Sequence, residues 1–196
     1  MLALAAIACV QPRAFAATPA TTVRTRVVTD LGAIDIEVDT AVAPATVANY
    51  LASVDRRLLD GASVYRVVTL ANQPPDTRFR IEVVQWGLDL SDDTAPPLPA
   101  IVHETTRETG LRHLDGTVSM ARSQPGTATS EFFICIGDQP ALDFGGGRNP
   151  DGQGFAAFGR VVNGRDVVRA LHAKGESVQR LASPIAIRSV RRVPLP

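Results

Sequence analysis

The feature that most constrains this chain is a succession of short β-prone runs, each closed by a turn signal. Ala33 to Val38 alternates Ile34, Ile36 and Val38 with Asp35 and Glu37. That two-residue period gives a strand with one apolar and one polar face. Val23 to Asp30 precedes it, and Leu31-Gly32 between the two suits a tight hairpin. Further runs read as strands at Val64 to Leu70, Phe79 to Gly87, Thr117 to Ala121, Phe132 to Gly137, Ala156 to Val162 and Ile185 to Val193. Asn72 to Thr77 and Ser91 to Pro99 carry the Pro, Asn and Asp of turns and loops.

Helical spacing is confined to two windows. Pro44 suits a first helical turn, where its missing N–H costs nothing. Val47, Tyr50 or Leu51, Val54 and Leu58 follow on one face, and Gly61 ends the run. A second helix fits Arg165 to Ala173. Many short strands with two helices predict a mainly β fold, an antiparallel barrel or sandwich with helical caps. There is no internal repeat, and no linker long enough to divide residues 23–196, which are expected to form one domain.

Composition removes several function classes. Twenty basic residues balance twenty acidic ones, so the field expected of a nucleic-acid or anionic-membrane binder is missing. His103, His113 and His172 are dispersed without zinc-like spacing, and neither a metal nor a cofactor is expected. The Gly-rich stretch Phe144 to Gly154 lacks both the terminal Gly-Lys-Ser/Thr of a phosphate loop and the spaced acids of a calcium loop. It reads as a mobile surface loop. Cys135 sits in the apolar run Glu131 to Gly137 and reads as a small core residue.

The first sixteen residues have the character of an export signal. Leu2 to Val10 is apolar but too short to span a bilayer, and Ala14-Phe15-Ala16 supplies a small-x-small cleavage site before Ala17. Residues 17–22 are then expected to be a flexible tail, and the product to be periplasmic or secreted, a monomer free of the membrane once the signal is cut.

Several ordered motifs together resemble one family. Val64-Tyr65-Arg66-Val67, Val83 to Gly87, Gly116 to Arg122 and Ser130 to Ile134 are similar to segments of the cyclophilin-type peptidyl-prolyl isomerases. So are Ala43 to Tyr50, Ala141-Leu142-Asp143, Phe158 to Val161 and the helix bearing Val167-Val168. The resemblance covers roughly residues 24 to 193 and is strongest to exported bacterial members.

It implies a closed eight-stranded antiparallel barrel capped by two helices, and rotation about the bond preceding proline in polypeptide substrates, with no cofactor. By position, Arg66 matches the catalytic arginine, and Gln85 the glutamine that binds substrate backbone and holds it. Val83, Ala121, Phe133, Leu142 and Phe155 match groove and proline-pocket positions, and the backbone at Arg122 matches a peptide-pairing segment. Phe155 stands where many members carry histidine, and three further departures stand out. Glu82 falls where a pocket phenylalanine is usual, Ala141 where many members carry tryptophan, and Glu131 where a glutamine is usual, from which a carboxylate could pair with Arg66. The alternative left open by Glu82 and Glu131 is a catalytically weak cyclophilin-fold peptide-binding module or chaperone.

Overall fold

A computed structural model describes residues 21–91 and 93–195. The expected signal segment lies outside the described residues. Strands β1 (Thr22–Thr29), β2 (Gly32–Asp39), β3 (Ser63–Val68), β4 (Val83–Gly87), β5 (Thr117–Met120), β6 (Glu131–Cys135), β7 (Ala156–Asn163) and β8 (Arg180–Val193) close into one barrel. Their order around it is β1-β2-β7-β5-β6-β4-β3-β8, and every described pairing is antiparallel. Closure leaves no free sheet edge. The ladder begins at Thr22, and Thr21 already accepts a bond from the Thr40 amide at 2.9 Å.

The barrel interior follows from alternation. Ile34, Ile36 and Val38 of β2 meet Val84 and Trp86 of β4, Phe132 and Ile134 of β6, and Phe158 of β7 in one apolar core. Tyr50 of helix α1 (Pro44–Asp55) enters that core and packs against the rings of Phe132 and Phe158, at 5.4 and 5.2 Å between centroids. Its hydroxyl is not left dry and unpaired, because Thr25 Oγ1 lies 2.7 Å away. Pro44 opens α1 as expected, and the Glu104 carboxylate accepts from the backbone amides of Ala45 and Thr46 at 3.1 and 2.8 Å. A carboxylate there satisfies two of the helix's unpaired amides and complements its dipole.

The boundaries differ from expectation in three instructive places. Helix α1 stops at Asp55 and not near Leu58, because Arg57 adopts a left-handed φ of 56° and turns the chain. Two residues, Asp30 and Leu31, make the first hairpin turn, and Gly32 is already paired with Thr29. The strand expected from Phe79 starts only at Val83. Upstream of it, the Gln73 amide takes both backbone groups of Ile81, donating to its carbonyl at 2.9 Å and accepting from its amide at 3.1 Å. A side chain thereby substitutes for the ladder.

Helix α3 (Arg165–His172) matches the second window, with Val168 and Leu171 buried. A third helix, α2 (Thr106–Thr109), is a single turn closed by a Thr105–Glu108 capping box, so the two-helix expectation was short by one small element. A 3-10 turn at Pro140–Leu142 precedes the Gly-rich segment.

Candidate active site

One irregularity in β3 organises the site. Val64 pairs with Trp86, but the next pair is Arg66 with Gln85, so Tyr65 is an extra residue on the β3 side. The result is a β-bulge, and it turns two consecutive side chains, Tyr65 and Arg66, to the outside of the barrel opposite Gln85. Val67 returns to the interior.

Gln85 then serves both neighbours. Its Oε1 accepts from Arg66 Nη1 at 2.7 Å, and its Nε2 donates to the Tyr65 hydroxyl. With its acceptor side occupied in this way, the hydroxyl donates onward to Glu131 Oε2 at 2.7 Å. On the other side of the guanidinium, Gln179 Oε1 accepts from Arg66 Nε at 3.1 Å and from Nη2. Two neutral amide oxygens therefore fix the plane of Arg66 without cancelling its charge. Burial, and the neighbouring Arg148 charge, pull the guanidinium below the ordinary arginine range, with the Tyr65 side opposing.

Beside this network lies an outward-facing apolar cluster of Val68, Ile81, Val83, Phe133, Cys135 and Leu142, separate from the barrel core. Phe133 is its centre. Phe155 meets it edge-on, at 5.3 Å and 89°. From behind, His113 stacks on it at 5.9 Å and 16°. His113 is itself held by Asp143, at 2.8 Å from Nδ1, and by Ser119 Oγ, at 3.0 Å from Nε2. Burial alone would raise the Asp143 carboxyl, but bonds from the His113 side chain and amide outweigh it and hold the group below the usual range. A cavity of about 230 Å³ opens over this cluster, and its walls include all eight residues singled out from the sequence: Arg66, Val83, Gln85, Ala121, Arg122, Phe133, Leu142 and Phe155.

A sequence model of the cyclophilin type peptidyl-prolyl cis-trans isomerases matches residues 24–192. This chain belongs to that family. The cyclophilin is 36% identical over 144 residues to peptidyl-prolyl cis-trans isomerase cyp18 of Streptomyces antibioticus, covering 73% of this chain and 79% of that protein. It is 34% identical to peptidyl-prolyl cis-trans isomerase A of Dickeya dadantii, covering 79% and 72%. Among solved structures, a cyclophilin-type isomerase of Cryptosporidium parvum superposes with a TM-score of 0.70 at 17% identity. That match covers 88% of this chain and 99% of the other, whose crystal structure is in the presence of the dipeptide Ala-Pro. A cyclophilin of Hirschia baltica gives a TM-score of 0.63 at 18% identity, over 85% and 72% of the two chains. The chain is thus a peptidyl-prolyl isomerase by family, on a barrel shared with solved cyclophilins.

Two expectations about the departures are corrected. Glu131 does not pair with Arg66: Tyr65 and Gln85 stand between them, because the bulge gives Gln85 to both outward residues of β3. The carboxylate accepts instead from Tyr65 and from the Asp89 amide at 3.0 Å, and burial pushes its pKa up. Glu82 does not enter the pocket either. It lies 3.7 Å from His172 Nε2, while Ile81, turned inward by Gln73, provides the apolar wall.

Arg122 also does more than offer backbone. Its side chain is 1% exposed, and the guanidinium makes a two-point ion pair with Asp151, donates to the Gly154 carbonyl, and lies 5.3 Å over the Phe155 ring. The bonds from Arg122, joined by one from the Gln153 amide, hold Asp151 down to about 2.

Sequence reasoning missed Gln179, Ile81, Arg148 and Asn149. Gln179 precedes β8, whose pairing to β3 jumps from Ile185 to Arg180 around Pro184, a residue with no amide to give the ladder. Only that irregularity brings Gln179 to Arg66. Cys135 is buried and its thiol is pushed up by burial, as befits a core residue.

Proposed function

We propose that this cyclophilin accelerates rotation about X–Pro bonds without a covalent intermediate, acting on proline-containing polypeptides during the folding of exported proteins. The observation that carries the chemical part is the Arg66 guanidinium, charged and locked by Gln85 and Gln179 at the wall of a cavity floored by Phe133. Rotation meets a barrier of about 18–20 kcal/mol because amide resonance must be broken, and uncatalysed it takes tens to hundreds of seconds.

As resonance is lost, the prolyl nitrogen regains a lone pair. Arg66 is the donor that can bond to it, with the ring of the proline seated against Phe133 and Leu142. Such a bond is stronger in the twisted state than in either planar isomer, so it lowers the barrier and does not merely bind substrate. Fixed donors need no reorganisation at the moment of rotation. The amide oxygens of Gln85 and Gln179 keep Arg66 oriented, and the Gln85 side chain also reaches the groove.

The export part rests on Leu2 to Val10 followed by Ala14-Phe15-Ala16. On this reading the working enzyme acts in the periplasm or outside the cell, and it acts as a monomer. N-terminal sequencing of the protein recovered from a secretion-competent host tests it, with Ala17 expected as the first residue.

Exchange NMR on a short X–Pro peptide tests the chemistry. Wild type is expected to accelerate exchange, and Arg66→Ala to abolish most of that acceleration. Acceleration that survives Arg66→Ala would remove Arg66 from the mechanism. Peptide shifts without acceleration would favour a binding module.

A further inference from the structure

The Gly-rich segment Phe144 to Gly154 is no loose surface loop. Arg148 donates its amide to the Ala141 carbonyl at 3.1 Å, Gly145 to Gly152 at 2.8 Å, and Phe155 to Leu142 at 2.9 Å. A side chain at Gly146 would strike the Ala141 carbonyl, and one at Gly147 the Phe79 ring. Glycine at those positions lets the loop lie flat on the pocket rim. Arg122 pins its far end through Asp151 and Gly154.

Pinned in this way, the loop brings two polar residues, Arg148 and Asn149, to the same cavity wall as Arg66. Arg148 is partly buried. Its Nη1 is anchored to Gln73 Oε1 at 3.2 Å and to the Phe79 carbonyl at 3.0 Å. Among the described residues, its Nε and Nη2 have no protein acceptor. The Asn149 amide nitrogen is buried and also unpartnered. No acidic residue lines the cavity. The loop's own carboxylate, Asp151, is already taken by Arg122. Burial pulls the Arg148 guanidinium down, and no carboxylate offsets that pull. A chain of balanced charge has thus gathered two uncompensated guanidiniums in one groove. The buried Asn149 donor without an acceptor is costly, a partly buried guanidinium without a counter-charge is disfavoured, and a carboxylate from outside relieves both.

We propose that Arg148 and Asn149 form an anion subsite, and that this isomerase prefers substrates carrying a carboxylate beside the X–Pro unit. The inference rests on the isomerase reading and adds its substrate class. The carboxylate can come from an Asp or Glu side chain flanking the pair, or from a chain terminus directly after proline. Arg148 can meet it with two N–H groups and Asn149 with a third. No bond is made or broken by the subsite.

The test is a set of X–Pro peptides, capped at both ends, with Glu or Gln before the pair or after it, and one ending in a free carboxylate directly after proline. The readout is the ratio of kcat/KM for each acidic peptide to that for its neutral counterpart. At low salt, wild type is expected to favour at least one acidic peptide by about five- to tenfold, and the favoured position identifies the source. The ratio should fall to about one in Arg148→Gln, be partly kept in Arg148→Lys, and shrink in wild type as salt rises. A wild-type ratio near one for every peptide overturns the proposal, and so does a preference that persists in Arg148→Gln.

Two measurements keep the outcome independent of folding and of turnover. In wild-type protein, titration with the acidic peptide should shift the Arg148 Nε–H resonance, and a resonance that stays put would also overturn it. Dissociation constants from the same titrations read the charge preference even if no peptide is turned over. Failure of the isomerase reading and failure of the subsite therefore show separately.

Discussion

Strands β4 and β6 have two faces, and the two are built by different rules. Inward, Val84, Trp86, Phe132 and Ile134 are at most 2% exposed and belong to the apolar barrel core. Outward, Val83, Gln85 and Phe133 alternate with them, one residue away each time, and belong to the groove. The inner face is fixed by packing alone, so apolar residues of suitable size serve it. The outer face mixes apolar floor, neutral amides and charge, and its residues are positioned by hydrogen bonds from several parts of the chain. Stability is concentrated on one face and chemistry on the other.

The sharpest way to break this contrast is to truncate neighbours in sequence. Phe132→Ala should cost about 3–5 kcal/mol of stability, read by urea unfolding. Phe133→Ala should cost less stability, yet lose most isomerase activity at a temperature where both variants are folded. Equal losses of stability from the two would erase the distinction between the faces.

Next in size is Arg66. Its removal as alanine should lower kcat/KM by about a hundredfold or more, the scale of losing one fixed donor to a developing lone pair or charge. Arg66→Lys should restore little of that, because an ammonium cannot address Gln85 and Gln179 with a planar fork. Full activity in the lysine variant would mean that charge matters and geometry does not.

Two carboxylates beside the groove sharpen the comparison through pH. Burial raises the pKa of Glu131 in the folded protein, so the folded state holds its proton more tightly than the unfolded one. Its contribution to stability is then present below the unfolded value and lost as pH rises through the folded one. Glu131→Gln should therefore gain stability relative to wild type between about pH 4 and pH 7, followed by thermal melts at both ends of that range. Asp143 goes the other way. Its folded pKa is depressed, so its stabilisation is present above the unfolded value and lost as pH falls. Asp143→Asn should destabilise at neutral pH, with the deficit narrowing on acidification.

The sequence carried these two faces unequally. The inner one was legible from alternation alone, because Ile34, Ile36 and Val38, or Phe132 and Ile134, obey the two-residue period of any half-buried strand. The outer one was legible through the order and spacing of motifs, which assembled eight residues that do share one cavity. What stayed hidden depends on departures from regular pairing. Gln179 reaches Arg66 only because β8 loops out at Pro184, and Ile81 reaches the wall only because Gln73 replaces its ladder partners. The capping box Thr105-x-x-Glu108 was readable, but it closes a single turn, too short to show as a periodic window. Arg148 sat in plain view in a stretch whose glycines suggested slackness, when they serve close packing.

Tyr65, the supernumerary residue of β3, works as a phase change. Before it, even positions look inward; after it, odd ones do, so Val64 and Val67 can both be core residues while Tyr65 and Arg66 stand side by side outside. Delete that one residue and the barrel keeps its strand number, but the chain faces a dilemma. Either Arg66 takes over Tyr65's place outside and the link to Glu131 is gone, or the register slips and a guanidinium is driven in among Trp86 and Phe132. In this protein a single added residue lets one strand serve the core and the groove at once.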